Sequence, residues 1–147
     1  MQNKDLTAEQ ARDLRALAGT IIPPSPVYGV PGADDERIFS DILRNLERDR
    51  DDICRALAQL ARLAGGAFAD LGPARRLEVA AAFRETGGTP LAALVRVVLL
   101  CYYRDDRVMR SLGQEPRPPF PKGHVVEQGD WSLLDPVRGR PRMYRLV

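Results

Sequence analysis

The sequence predicts an all-α protein, an irregular bundle of five or six helices followed by a long, extended, proline-rich C-terminal tail. Apolar residues recur every three or four positions through residues 1–113, which is the spacing of amphipathic helices. No strand-type alternation of useful length is present. Half of the 12 prolines fall in residues 114–147, where little helical pattern remains. We therefore predict a helical body over 1–113 and an extended tail over 114–147.

The first helix begins at Thr7. Thr7 and Gln10 form a capping box, in which each side chain accepts a hydrogen bond from the backbone of the other residue. Pro23 and Pro24 end the helix, and the loop over 23–33 is rigid and rich in turns. The apolar stripe of this helix consists of Leu14, Leu17, Ala18 and Ile21.

A second helical region starts near Asp34 and shows apolar residues on one face over 38–46 and again over 53–64. The polar run over 47–52 divides these two stretches. Residues 46 and 53 are one heptad apart, so the periodicity fits one long helix as well as two shorter ones, and the sequence leaves both open. Gly65 and Gly66 end this region.

Two further helices open on proline, at Gly72-Pro73 and at Thr89-Pro90, which is the residue type favoured at the first helical position. The stretch Leu91 to Tyr103 is apolar nearly all round, as in a central helix that neighbours cover on most sides. Asp105 or Asp106 then caps a short last helix that ends near Gly113.

The tail is not an ordinary solvated linker. Four prolines fall within residues 116–121, which favours an extended, polyproline-like run. The tail nevertheless carries many large apolar side chains, and these are rare in disordered segments. We infer that its own helical body or another chain buries them. They are Phe120, Val125, Val126, Trp131, Leu133, Leu134, Val137, Met143, Tyr144 and Leu146.

The sequence offers no plausible set of catalytic, cofactor-binding or metal-binding residues. One histidine and two cysteines are too few for a zinc, haem or iron–sulfur site built from these residues alone. His124 lies in the tail, where a surface or interface histidine is more common than a general base. A net charge of +2 argues against a dedicated nucleic-acid binder. A stand-alone helical enzyme and a nucleic-acid-binding module that uses the arginines of the tail remain the alternatives.

Three stretches of the sequence resemble a known family: LRALAGTIIPP at 14–24, CYYRDDRV at 101–108, and the tail with PPFPKG at 118–123 and LLDPV at 133–137. Together they are similar to the gluconate 2-dehydrogenase subunit 3 family, the small (gamma) subunits of FAD-dependent glucose–methanol–choline oxidoreductases. The resemblance covers most of the chain.

The resemblance implies that a large partner subunit carries FAD, the substrate pocket and the catalytic histidine. The small subunit then holds no redox centre, and its role is chaperone-like: it helps the large subunit to fold, take up FAD, stay soluble or be exported. A cytochrome c subunit belongs to some complexes of this kind. Many relatives carry a twin-arginine signal on the small subunit, whereas Arg12 and Arg15 of this chain are separated. We therefore expect a cytoplasmic complex, or a periplasmic one that is exported through a signal on another subunit.

The predicted interface combines the end of the apolar helix with the tail. Tyrosine, tryptophan and arginine are enriched at binding hot spots, and prolines lower the entropy cost of ordering an extended segment. A buried helix that ends in a charged cap is an equally good interpretation of the stretch over 102–107. The predicted partner-interface residues are Tyr102, Tyr103, Arg107, Pro118, Pro119, Phe120, Trp131, Leu133, Leu134, Arg138, Arg140 and Tyr144.

Overall fold

A computed structural model describes residues 6–118 and 120–141 of the chain. The predicted all-α class is confirmed, and the described residues contain no β-strand. Short 3-10 helices cover Glu47–Asp49, Phe68–Asp70 and Trp131–Leu134. The α-helices are α1 (Ala8–Ile21), α2 (Glu36–Arg44), α3 (Arg50–Ala64), α4 (Pro73–Thr86), α5 (Gly88–Tyr103), α6 (Asp106–Ser111) and α7 (Asp135–Arg138).

The chain divides into two units, between Pro116 and Arg117. The first unit contains helices α1 to α6 among its described residues. Helix α3 packs against both α4 and α5, while α1 contacts α3 and α4, and α2 contacts α5. The interior is apolar and closely filled. Its largest fully buried side chains are Phe68, Phe83, Leu14, Leu17, Ile38, Ile42, Ile53, Leu57, Leu60, Leu94, Val98 and Val108.

The predicted capping box at the start of α1 is confirmed. The backbone N–H of Gln10 donates to the Thr7 hydroxyl (3.1 Å), and the N–H of Thr7 donates to the side-chain oxygen of Gln10 (3.0 Å). Leu14, Leu17 and Ala18 are buried, as their spacing predicts. Ile22 caps the helix C-terminus immediately before Pro23.

The polar run over 47–52 breaks the second helical region into two helices. Asn45 caps α2, and its side-chain amide donates to the backbone carbonyl of Asp41 (2.8 Å). A 3-10 turn follows before α3 begins. Leu46, at the junction between α2 and the 3-10 turn, is buried in the hydrophobic core. Gly65 adopts a left-handed conformation (φ 73°) and ends α3, as predicted.

Helix α4 begins at Gly72-Pro73 as predicted, and α5 follows α4 through Gly87. The expectation that neighbours cover α5 on most sides is wrong. The positions that α5 buries, from Ala93 to Tyr102, recur at helical spacing on one face, and α2 and α3 pack against this helix. Leu100 and Tyr103 are 54% and 52% exposed. An apolar helix therefore presents part of its surface to solvent.

The second unit contains a 3-10 helix followed by the single turn of α7. The Asp130 carboxylate caps this segment by accepting from the backbone N–H of Ser132 (3.0 Å). The described residues over 114–130 form no helix. The fully extended course predicted for the tail stays a prediction.

Candidate interaction surface

The predicted interface residues fall into three groups. Tyr102, Tyr103 and Arg107 lie where α5 ends and α6 begins. Pro119 and Tyr144 lie outside the described residues. The others belong to the second unit; they are Pro118, Phe120, Trp131, Leu133, Leu134, Arg138 and Arg140.

The two adjacent tyrosines have different surroundings. Tyr102 is buried, and its hydroxyl donates a hydrogen bond to the backbone carbonyl of Pro31 (3.2 Å). Burial raises the pKa of the Tyr102 phenol above its ordinary value. The Tyr103 ring meets the Tyr102 ring edge to face, with centroids 5.2 Å apart, and remains half exposed. Tyr102 therefore supports the loop over 23–33, while Tyr103 is available at the surface.

Arg107 joins the start of α2 to the start of α6. Its guanidinium donates to Asp35 (Nη2 to Oδ1, 2.7 Å) and to Asp105 (Nε to Oδ1, 2.9 Å). Hydrogen bonds from Arg107 hold the pKa of both carboxyl groups below the ordinary value, although burial opposes this shift. Arg37 adds a more distant charge, 3.8 Å from Asp105. The charge of Arg107 is thus largely matched within the first unit.

A second ion pair ties the end of α5 to α2. The Nε of Arg104 donates to the Asp41 carboxylate (2.6 Å), and this hydrogen bond lowers the pKa of Asp41. The Cys101 thiol lies beside the pair, and burial is the main cause that raises the pKa of this thiol to about 11. A thiol with such a pKa stays protonated near neutral pH and is a poor nucleophile.

The exposed face of α5 forms an apolar stripe, which we define as Ala92, Leu99, Leu100 and Tyr103. These residues lie at helical spacing, so their side chains share one side of the helix. Arg96 falls within the same face, and its Nη2 pairs with the Asp49 carboxylate (2.5 Å), a group whose side chain is only 13% exposed. The charge of Arg96 is therefore matched by Asp49 within the face that carries the stripe.

An apolar groove of about 470 Å³ lies between α1, α4 and α5. Ile21, Leu77, Leu91 and Val95 are among its lining residues. Leu91, Val95 and Leu99 follow one another at intervals of four residues along α5. The groove is consequently continuous with the α5 stripe, and the two form one apolar surface of the first unit.

The loop over 23–33 is a paired turn whose tip is apolar. Ser25 and Val30 exchange two backbone hydrogen bonds (3.0 and 3.1 Å). Val27 and Tyr28 project from this turn with exposed fractions of 88% and 72%. The sequence analysis identified the rigid loop but not its tip as a functional element. The available signal was a pair of large apolar residues in a turn where polar residues are usual.

Among the residues of the second unit that the structure describes, the large apolar side chains are exposed. Phe120 is 85% exposed, Trp131 62% and Leu133 74%. Leu134 is less exposed, at 41%. Arg138 pairs with Asp135 through one hydrogen bond (3.3 Å) between two exposed groups. Exposed ion pairs of this kind contribute little to the stability of the fold.

The described residues show no grouping of three or more His, Cys, Asp or Glu side chains placed to hold a metal ion. A surface cavity of about 710 Å³ is lined by residues 47–52 and by Arg55. Its acidic groups alternate with arginines, and Asp52 pairs with Arg55 (2.5 Å). In the part of the chain that the structure covers, none of the helices has the length and apolar character needed to cross a bilayer.

No protein-family model, curated protein or solved structure matches this chain.

Proposed function

We propose that this chain is the non-catalytic small subunit of a flavin-dependent alcohol or sugar dehydrogenase complex. It binds the large subunit that carries FAD and stabilises that subunit during folding or maturation. The reactive groups and the flavin belong to the partner chain. The contribution of this chain is a docking surface.

The observation that carries the proposal is the exposure of Phe120, Trp131 and Leu133 in the second unit. Transferring a side chain of this size from water to an apolar contact is favourable by about 1.5–3 kcal/mol. Large apolar side chains grouped on one exposed segment are typical of a protein–protein interface. Prolines within the same segment restrict its conformations, which reduces the entropy lost on binding.

The first unit supports the same proposal with a separate surface. The α5 stripe and the adjoining groove expose apolar side chains on a helix, which is a rigid element. Arg96, which lies within this face, is paired with Asp49, so a partner can cover the stripe without leaving a new unpaired charge. The resemblance of the sequence to the gluconate 2-dehydrogenase subunit 3 family identifies the flavoprotein as the partner to test.

The experiment is co-expression with a candidate partner, an FAD-dependent glucose–methanol–choline dehydrogenase of the source organism. The full chain and residues 1–113 are compared by the soluble yield of the flavoprotein, its flavin content and its dehydrogenase activity. We expect the shortened chain to lower all three by about tenfold, because it lacks the apolar segment. Unchanged flavin content and activity with residues 1–113 would contradict the proposal.

A substitution in the full chain separates loss of the contact from loss of length. Trp131→Ser combined with Leu133→Ser removes two exposed apolar groups, and we expect it to lower the recovered flavoprotein. Glu127→Ser combined with Gln128→Ser is the matched control, because these are exposed polar positions of the same segment. If both double substitutions lower the recovered flavoprotein equally, the apolar contact is not the cause of the loss.

A further inference from the structure

A cavity of about 300 Å³ lies where the end of α1 meets the start of α4. Two side chains of opposite charge line it, Asp34 from the segment before α2 and Arg76 from the first turn of α4. Within the described residues, neither side chain takes part in an ion pair. The cavity therefore offers an anion and a cation that are not paired with each other.

The Asp34 carboxylate is held in place without being paired. A Cβ atom at Gly19 would lie 2.7 Å from its carboxyl carbon, and a Cβ atom at Gly32 would lie 2.5 Å from one of its oxygens. The carboxylate therefore occupies a space that exists because both positions are glycine. Arg15 donates to the backbone carbonyl of Asp34 (2.9 Å) and not to its carboxylate. In the part of the chain that the structure describes, no donor bonds the carboxylate, so its oxygens are open to a ligand.

The Arg76 guanidinium is anchored but has donors to spare. Its Nη2 donates to the backbone carbonyl of Ala69, and its Nε has no hydrogen-bond partner. A guanidinium carries several N–H donors in a planar fork that matches a carboxylate. The N-terminus of α4 has no side-chain cap and no acidic residue in its first turn. A carboxylate is complementary both to this guanidinium and to the positive end of the helix dipole.

The cavity adjoins the apolar groove between α1, α4 and α5, because Thr20 and Leu77 line both. The Thr20 hydroxyl donates to the carbonyl of Ala16 (2.8 Å), which leaves its oxygen as an acceptor for an N–H donor. The volume of the cavity lies at the lower end of the range for small-ligand sites, about 300–1,000 Å³. A charged pocket with an apolar extension is the shape of a site for a small ligand with a charged end and an apolar end.

We propose that this cavity binds a free α-amino acid with an apolar side chain, such as leucine. The ammonium group lies at the Asp34 carboxylate and the Thr20 hydroxyl, the carboxylate lies at the Arg76 guanidinium, and the side chain enters the adjoining groove. A ligand with only a negative charge would face Asp34, and a ligand with only a positive charge would face Arg76. Charge complementarity therefore selects a ligand that carries both charges. The proposal goes beyond the proposed function and does not depend on it.

The test titrates the isotopically labelled full chain with L-leucine and follows its backbone amide signals by NMR. We expect a dissociation constant of about 1 mM or lower, with the largest changes in chemical shift at Thr20, Asp34 and Leu77. If these signals do not move at a leucine concentration of about 20 mM, the proposal is overturned.

Three further ligands test which parts of the amino acid the cavity recognises. Leucine amide lacks the carboxylate, and isocaproate lacks the ammonium group, so each should bind at least about tenfold more weakly than leucine. Glycine carries both charges without an apolar side chain and should also bind more weakly. If leucine amide or isocaproate binds as tightly as leucine, one of the two charges is not recognised and the proposal is wrong. Equal binding of glycine and leucine would overturn the role of the groove.

Substitutions in the full chain assign each charge to its residue. We expect Asp34→Asn to weaken leucine binding at least about tenfold and to leave isocaproate binding unchanged, because isocaproate has no ammonium group. Arg76→Gln should likewise weaken leucine and leave leucine amide unchanged. Arg75→Gln is the matched control, because Arg75 is exposed on the same helix and pairs with Glu78, and it should bind leucine as the unmodified chain does.

The paired ligands also separate a lost contact from a damaged fold. A variant that does not fold would lose leucine and its analogue together, whereas the proposal requires the analogue to be unaffected. Asp34→Asn removes no contact made by the carboxylate within the described residues, so its thermal midpoint should match that of the unmodified chain. Equal losses of leucine and isocaproate in a folded Asp34→Asn variant would overturn the proposal.

Discussion

Arg107 shows how one side chain can hold two helix starts together. Asp35 caps α2 by accepting from the N–H groups of Arg37 (3.1 Å) and Ile38 (3.4 Å), and Asp105 caps α6 by accepting from the N–H of Arg107 (2.9 Å). The Arg107 guanidinium bridges these two capping carboxylates. Each carboxylate thus accepts hydrogen bonds from both a helix N-terminus and a cation, which favours its charged form.

We predict that Arg107→Gln lowers the free energy of unfolding at pH 7 by about 1–2 kcal/mol. The Asp105 carboxylate is only 4% exposed and would lose its main partner, while the partial exposure of Arg107 (38%) keeps the cost below that of a fully buried pair. Urea denaturation followed by circular dichroism measures the difference. Arg107→Lys keeps the charge but not the paired geometry. Its free energy of unfolding should lie between the values of the unmodified chain and Arg107→Gln. A loss below 0.3 kcal/mol would contradict the bridging role.

The same bridge predicts a pH dependence. Arg107 lowers the pKa of Asp35 and Asp105 in the folded state, so their stabilisation is present above the unfolded pKa, near 3.9. This stabilisation is lost as the pH falls through the lowered pKa values of the two carboxyl groups in the folded protein. The free energy of unfolding should therefore drop below about pH 4, and less steeply in Arg107→Gln. If the free energy of unfolding depends on pH in the same way in the unmodified chain and in Arg107→Gln, Arg107 is not the cause of the lowered pKa values.

At the scale of elements, α1 and the segment before α2 approach closely at a glycine. A Cβ atom at Gly19 would lie 2.7 Å from the carboxyl carbon of Asp34. Alanine is favoured over glycine within a helix by about 1 kcal/mol. The steric conflict with Asp34 opposes this gain at position 19.

We predict that Gly19→Ala destabilises the unmodified chain by about 1–2 kcal/mol, because overpacking outweighs the gain in helix propensity. In an Asp34→Ala background most of the conflict is gone, so the same substitution should be neutral or stabilising. Asp34→Asn is the control that keeps the shape and removes the charge, and it should retain the penalty. A double-mutant cycle from urea denaturation provides the measurement. Equal effects of Gly19→Ala in all three backgrounds would show that the side chain of Asp34 is not the obstacle.

Local signals were sufficient to predict several element boundaries. The capping box at Thr7, the proline at position 73 and the glycine at position 65 each act through nearby backbone groups. Periodicity could not decide whether residues 47–52 continue one long helix or separate two shorter ones, because Leu46 and Ile53 are one heptad apart in both cases. In the structure, the side-chain amide of Asn45 donates to the carbonyl of Asp41 where α2 ends.

Surface exposure was harder to predict because it depends on where other elements lie. The apolar composition of α5 indicated burial on most sides, yet Leu100 and Tyr103 face solvent. The hydrogen bond from Tyr102 to Pro31 joins residues 71 positions apart, a pairing that spacing alone does not reveal. Of the predicted interface residues, Tyr102 and Arg107 form internal contacts, whereas Tyr103, Phe120, Trp131 and Leu133 are exposed.

At the scale of the whole molecule, apolar surface remains exposed on both units. The first unit exposes the α5 stripe, the adjoining groove and the tip of the 23–33 loop, while the second exposes Phe120, Trp131 and Leu133. Exposed apolar side chains that lie together, as on α5 and the adjoining groove, are typical of an interaction site. The partner subunit that we propose would cover apolar surface on both units.

The most direct test is to purify the full chain through an affinity tag from cells that also express the candidate flavoprotein, and to record the visible absorbance of the product. We predict a stable complex with the absorbance bands of bound flavin and a constant ratio of the two chains across a sizing column. A colourless product in which the chain elutes alone, although the soluble flavoprotein is present in the lysate, would contradict the account.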